Sequence, residues 1–318
     1  MSNQVLKLSE QQTRSLIESY QHYHVTRKAN GVRFAAKLPD VSITVYTSGK
    51  VLFQGAGASR EAAKFDNTMT TVKNNHTNRT QPITSTKEDL PSNLKMQSVI
   101  GSDETGTGDF FGPVTVAACF VPADMVDLIE VLGVKDSKQL TDDVIRRIAP
   151  DIEKTAIHSV LVVPNDKYNS IQQRGFSQGK IKALLHNQAL KHVLRKMDGA
   201  SYDHILIDQF AEPRVYYNYL RDEEDVIREH VLFATKAEGL HVSVAAASIL
   251  ARYAFLNAMD QLSQEIGMTI PKGAGKKVDE VAAKILLKHG ETTLKNMTKW
   301  HFANAKKAEK LAAQKRSY

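Results

Sequence analysis

Asp103 and Glu104 stand side by side at the end of a short apolar run, in the stretch IGSDETGTGDFFGP, and the turn Gly106–Gly108 follows directly. Adjacent like charges at a strand end repel one another and resist burial. A divalent cation relieves both penalties, so the pair is a candidate metal site beside a loop that can present backbone N–H groups. Two further acids follow apolar runs: Asp208 closes HILID, and Glu238 comes four residues after VLFA. Strand ends are where α/β folds commonly carry their functional groups. Brought together, Asp103, Glu104, Asp208 and Glu238 could hold two Mg2+ or Mn2+ ions, hard cations that take oxygen ligands. Two such ions about 3.5–4 Å apart promote phosphodiester cleavage. The plain alternative for any one of these acids is a cap, a turn or a surface charge, and spacing alone leaves it open.

Other residues invite weaker readings. The glycines of the 106–108 turn bring backbone amides close to a phosphate, or simply make a tight turn. A dinucleotide fingerprint is not met, because the glycines fall at 106, 108 and 112 and a strand, not a helix, comes next. The loop around Gly273 and Gly275 lacks a glycine at 270 and a Ser or Thr at 277, so it is not a nucleotide P-loop. Lys135, Ser137 and Lys138 form a phosphate-binding candidate, or a loop leading into a helix. His22 and His24 have no nearby cysteine and read as surface residues rather than zinc ligands. Trp300 and Phe302 read as packing anchors for the C-terminal tail.

These groups need elements to carry them. The pattern predicts strands over 98–102 and 114–121 around the acidic pair, then 158–163, 204–207 and 231–234. Helices are predicted over 123–132, from Thr141 as cap to 154, over 178–197 and over 242–266, with another starting at 279 and a solvated Lys/Ala-rich helix from 303. An antiparallel strand pair followed by alternating helices and strands indicates an α/β domain with a mixed sheet. Ahead of it, Ser9 caps a helix to Tyr20, VSITVY alternates as a half-buried strand, Val51–Gln54 returns, and Ser59 caps a short helix to Phe65. Residues 67–95 lose periodicity, and about 72–95 reads as a linker. The expected domains are therefore 1–80, a linker at 81–95, and 96–318 with a helical tail.

The 318 residues carry a net charge of +7, unevenly spread. Residues 1–80 hold 11 Lys+Arg against 5 Asp+Glu, residues 295–318 hold 7 against 1, and the stretch between them nets −5. Basic ends around an acidic centre suit a polyanion-binding protein with a metal-binding middle. Cys119 is the single cysteine, which excludes an internal disulfide and suits a reduced compartment. The start lacks the apolar core of a signal peptide, and no apolar run approaches the roughly 20 residues of a membrane span. A cytoplasmic monomer that does not engage membranes is the expectation.

DETGTGDFFGP (103–113), KDSKQL (135–140), IDQFAEP (207–213), TKAEG (235–239), AAASILAR (245–252) and PKGAGKKVD (271–279) resemble, in this order, the motifs of the bacterial ribonuclease HIII family of the type 2 ribonuclease H superfamily. The resemblance spans about residues 95–302. It implies a ribonuclease-H-like mixed sheet flanked by helices, preceded by a small α+β domain similar to the TATA-binding-protein fold. It also implies an endonuclease that hydrolyses the RNA strand of RNA–DNA hybrids and leaves 5′-phosphate and 3′-hydroxyl ends. On this resemblance Asp103, Glu104, Asp208 and Glu238 are the catalytic, Mg2+- or Mn2+-binding acids. In the sister family, ribonuclease HII, the fourth acid is usually Asp, and Glu238 fits type III. Thr105, Gly106, Thr107 and Gly108 would contact the sugar-phosphate where 2′-hydroxyls report RNA, with Lys135, Ser137 and Lys138 as further substrate contacts. The sister family's junction-sensing tyrosine has no counterpart here. Two other classes stay in view: a non-catalytic nucleic-acid-binding protein, and a metal-dependent nuclease with another substrate.

Overall fold

The computed structural model describes residues 3–26, 32–47, 49–65, 90–134 and 140–316. Lys135, Ser137 and Lys138, and most of the expected linker, lie outside these residues. The chain divides into two compact units, the first within residues 1–90 and the second from 91 onward, with 150–156 grouped with the first.

The first unit contains β1 (Asn3–Lys7), α1 (Glu10–Tyr20), β2 (Val32–Lys37), β3 (Ser42–Tyr46), β4 (Lys50–Gln54) and α2 (Ala58–Ala63). Its sheet is antiparallel in the order β1-β4-β3-β2. Ser9 caps α1 in a reciprocal box: its Oγ accepts from Gln12 N at 3.3 Å, and Gln12 Oε1 accepts from Ser9 N at 3.0 Å. Two expectations need correction. The short helix starts at Ala58 with Gly57 as its cap, so Ser59 is inside it. Strand β3 is not half-buried, for Ile43, Thr44, Val45 and Tyr46 are all covered.

The second unit is built on five strands, β5 (Val99–Thr105), β6 (Val114–Val121), β7 (Ile157–Val163), β8 (His204–Asp208) and β9 (Val231–Ala234), in the order β7-β6-β5-β8-β9. The pairs β7–β6 and β6–β5 are antiparallel, and β5–β8 and β8–β9 are parallel, which makes the sheet mixed. Its helices are α3 (Val126–Ile129), α4 (Asp142–Thr155), α5 (Asn165–Gln173), α6 (Gln178–Met197), α7 (Pro213–Tyr219), α8 (Val242–Ile266), α9 (Lys276–Met297) and α10 (Ala303–Arg316). Helix α5 was not expected from the sequence. Strand β5 runs on past Ser102, because its ladder with β6 continues through Asp103↔Ala117, Glu104↔Val116 and Thr105↔Thr115. The acidic pair therefore belongs to the strand instead of following it.

Helices α6 and α8 cover opposite faces of this sheet. Ala183, Leu190 and Val193 of α6 pack on Ile100, Val116, Ala118, Ile205 and Ile207. On the other face α8 presses directly on β5: a Cβ at Gly101 would lie 2.2 Å from Val244 N. The small residues Ala245, Ala246 and Ala247 of α8 permit this approach, and all are buried. Helix α8 has the length and apolarity of a membrane-crossing segment, yet 67% of that window is buried inside the protein. Its place is the centre of the unit. Cys119, on β6, is also fully buried, and burial pushes its thiol up to about 12.

The C-terminal tail is not simply solvated. Ala305, Ala308 and Ala312 of α10 enter a core with Phe110, Phe111, Phe255, Ile285 and Leu294. Small alanines carry little apolar signal, which is why the sequence pattern looked polar throughout. Trp300 and Phe302 pack on the same core, as expected of anchors.

Because Gly101 sits against backbone atoms that cannot retreat, Gly101→Ala is expected to cost about 3 kcal/mol of stability, at the upper end for overpacking. Denaturant melts of the two proteins measure this, and an unchanged midpoint would show that α8 can shift away from β5.

Candidate active site

Side chains along a strand point alternately to its two faces. Ile100, Ser102 and Glu104 take the α6 face, while Gly101 and Asp103 take the α8 face. The two adjacent acids thus leave the strand on opposite faces, near its end. In the parallel pair β5–β8, Ser102 stands opposite Ile207, so the next residues, Asp103 and Asp208, emerge together from the C-terminal strand ends. Ile207 packs toward α6, which puts Asp208 on the α8 side with Asp103. Asp103, Glu104 and Asp208 line one cleft with residues 105–109, Ile145, Ser248 and Arg252.

Each acid is held differently. Asp103 is only 4% exposed, and burial, then the charges of Asp208 and Glu104, push its carboxyl up to about 8. A hydrogen bond from Ser248 of α8 and the Glu104 N–H at 2.7 Å work in the other direction. Burial also disfavours ionised Glu104, but His186 and Lys182 of α6 outweigh it and hold its carboxyl down at about 2. Lys182 Nζ lies 2.8 Å from Glu104 Oε1, and His186 Nε2 lies 3.0 Å from Oε2. His186 Nδ1 meets Ser102 Oγ across the same face. Phe210 backs both partners, stacked on the His186 ring at 5.1 Å between centroids with Lys182 Nζ 4.1 Å above its own. Asp208 Oδ1 accepts from Ala237 N at 2.9 Å.

Glu238 stands apart from this group. Lys236 adopts a left-handed conformation at φ 55°, and the chain then forms a short turn, Ala237–Gly239. Glu238 lines a separate cavity with Lys95, Glu130 and His241. Among the described residues, no three His, Cys, Asp or Glu side chains sit close enough together to hold one ion. The chemistry of the cleft still fits a hard divalent cation. Its donors are carboxylate oxygens, and the mutual repulsion at Asp103 is what such a cation would relieve.

The turn over this cleft has a backbone that glycine alone suits. Gly106 has φ +90°, and a Cβ there would lie 2.3 Å from Pro113 O. Asp109 N–H closes the turn on Gly106 O at 3.3 Å, and Gln178 Nε2 donates to Thr107 O at 3.0 Å. The N–H groups of Thr107 and Gly108 meet no backbone acceptor among the described residues. Arg252 completes the rim. Its guanidinium donates to Asp142 Oδ1 at 2.6 and 3.2 Å and to Leu140 O at 2.9 Å, and Lys272 also pairs with Asp142.

Sequence reasoning missed Lys182, His186 and Ser248, the partners of the acids, and Arg252 at the rim. A signal existed for two of them. Lys182 and His186 are four apart on α6, and both interrupt the side of the helix that carries Ile181, Leu185 and Ala189. His22 and His24 are exposed, as expected. Glu212 is exposed and caps α7 through its backbone only.

Residues 100–305 match the family model described as Ribonuclease HII, and residues 3–78 match a Domain of unknown function (DUF3378). The chain is 53% identical to the ribonuclease HIII of Lysinibacillus sphaericus over 98% of this chain and 100% of that one. It is 49% identical to the ribonuclease HIII of Bacillus subtilis over the full length of both. Among solved structures, Bst-RNase HIII in complex with Mn2+ superposes with a TM-score of 0.69 at 45% identity, covering 98% of this chain and 100% of that one.

A carboxyl whose pKa is higher in the folded than in the unfolded protein favours folding only while it is protonated. The stability attached to Asp103 is therefore full below pH 3.8 and lost as pH rises towards about 8. In chelator, Asp103→Asn is expected to melt above the wild type near pH 8, with the difference vanishing towards pH 4. Added Mn2+ should raise the wild-type midpoint and leave that of the variant nearly unmoved. Thermal melts across pH, with and without Mn2+, check both, and superimposable curves would remove Asp103 from the charged cluster.

Proposed function

The chain belongs to the ribonuclease HIII family, and we propose, as the reading its cleft supports best, that it is an endonuclease hydrolysing the RNA strand of RNA–DNA hybrids. The observation that carries this reading is the joint emergence of Asp103 and Asp208 from paired strand ends, beside a glycine turn whose Thr107 and Gly108 N–H groups meet no backbone acceptor among the described residues. A binding module would have no use for a carboxyl that burial, with the repulsion of its neighbours, lifts to about 8.

Asp103, Asp208 and Glu104 would hold the divalent ions, Mg2+ or Mn2+; Glu238, although it lines a different cavity, is the acid assigned as the fourth ligand of a two-ion site. When bound, such ions supply Lewis acidity at the scissile phosphate. Lys182 and His186 fix the carboxylate of Glu104, so that it meets an ion with little reorganisation. The N–H groups of the Gly106–Gly108 turn take the sugar-phosphate next to the cut, and Thr105 contributes to the same contact. Arg252, already oriented by Asp142, adds positive charge at the rim. A water oxygen attacks phosphorus, the P–O3′ bond breaks, and the products carry a 5′-phosphate and a 3′-hydroxyl.

The net negative charge of residues 81–294 opposes a polyanion, so residues 1–80 are assigned the greater share of hybrid binding through their excess of Lys and Arg. Binding should then weaken as salt rises. A reduced, cytoplasmic compartment suits the single buried thiol of Cys119.

Asp208→Asn keeps the side-chain shape and removes a charge. Cleavage of a labelled hybrid in Mg2+ should fall by orders of magnitude while hybrid binding persists, and double-stranded DNA and double-stranded RNA should remain intact with the wild type. Near-normal turnover of the variant at saturating Mg2+ would sink the role given to Asp208. For the fourth acid, Glu238→Gln should abolish most turnover, whereas Glu212→Gln, on an exposed helix cap, should change only the melting temperature slightly. Turnover and melts of both variants decide between the two, and the reverse pattern would move the fourth ligand to Glu212.

A further inference from the structure

Lys299 is fully buried, immediately beyond α9, in a place where an ammonium is costly unless it is hydrogen-bonded. Its Nζ donates to the carbonyls of Asp109 at 2.8 Å and Gly112 at 2.5 Å, and its backbone N–H donates to Phe110 O at 2.8 Å. A single residue thus grips both ends and the middle of the segment 109–112. That segment continues directly from the Gly106–Gly108 turn over the acids.

Neighbouring bonds make the grip a strap. Gly112 N–H donates to Met297 O at 3.0 Å, and Phe111 bridges to Thr298. Asn165, at the start of α5, donates to the same Gly112 carbonyl at 2.8 Å. One turn on, Asn169 donates to Lys295 O at 3.0 Å and Thr298 O at 2.9 Å, and accepts from Trp300 N at 2.9 Å. Asp109 in turn accepts from the N–H of Gly273. Helix α5 therefore organises the segment that carries Lys299, and Lys299 organises the loop.

Maintaining the fold does not by itself call for a charge here. Removing the amine alone would leave the Asp109 carbonyl without this donor, so a loss of stability is expected beside any loss of position. Burial draws the Lys299 pKa down to about 7, with Asp109 pulling the other way, and either protonation state can donate to carbonyls. What the amine distinctively supplies is fixed geometry in a loop whose glycines offer little of their own.

We propose that Lys299 is a positioning residue for substrate: by strapping residues 109–112 it holds the Gly106–Gly108 turn where its N–H groups meet the hybrid's sugar-phosphate. This rests on the reading of the cleft as a hybrid nuclease. The strap touches none of the four acids, so it acts on hybrid binding and leaves ion binding alone.

The test is Lys299→Met, which fills the same volume without donors, beside Asn165→Ala, which removes the second donor to Gly112. In full-length protein, the Lys299→Met variant should raise KM for a defined hybrid about tenfold, with kcat and the half-saturating Mn2+ concentration near wild type. Asn165→Ala should give a smaller shift of the same kind. A wild-type KM in Lys299→Met, whatever its melting temperature, overturns the proposal. A half-saturating Mn2+ concentration that shifts as far as KM also overturns it, because the whole cleft would then have moved. Should Lys299→Met fail to fold, Asn165→Ala decides alone, and an unchanged KM sinks the strap. A wild-type protein that leaves hybrids intact in Mn2+ refutes the nuclease reading instead, a result separate from any difference between the variants.

Discussion

The alternation of a β-strand is the constraint on which the site depends. Asp103 and Glu104 are neighbours in sequence, yet the pleat of β5 sends one to α8 and the other to α6. Two carboxylates on one face at that spacing would repel without relief. Divided between faces, they acquire different surroundings and different proton affinities. Asp103, buried and facing Asp208, becomes a reluctant anion, while Lys182 and His186 offset the burial of Glu104 and hold it ionised. One dipeptide thereby supplies two chemically distinct groups at the end of the same strand.

The two covering helices are adapted to these tasks. Helix α8 contributes small side chains and Ser248, so it can lie close to Gly101 and reach Asp103. Helix α6 is longer-armed and supplies Lys182 and His186 through its otherwise apolar inner side. Phe210 backs this pair, stacked on the His186 ring and facing the Lys182 ammonium. Beyond the sheet, the C-terminal helices reach back to residues 109–112 through Lys299 and Gly273. The site is thus held by segments more than 150 residues apart in sequence.

Much of this was legible in the chain, for identifiable reasons. Helices α6 and α8 and strand β6 fall where the periodicity put them, because each is long or strongly patterned. Ser9 was readable as a cap because the capping box is a local device. The partners of Glu104 were not, since which polar residue of α6 meets β5 is fixed by tertiary packing. Helix α5 is polar apart from a few positions, and its importance lies in two asparagines that bond to distant backbone. Lys299 looked like one more lysine in a basic tail, and only the folded chain shows an amine closed off from water. The placement of Glu238 depends on the left-handed Lys236, a conformation that lysine does not advertise.

Cys119 has a practical consequence. Its thiol is sealed inside β6 and its ionisation is driven up to about 12, so the thiolate that reacts with maleimides is scarce at neutral pH. The native protein therefore behaves towards such reagents as though it had no cysteine. A cysteine introduced at an exposed position would be the one reactive handle in the molecule, available for a fluorophore or spin label without first altering the natural sequence.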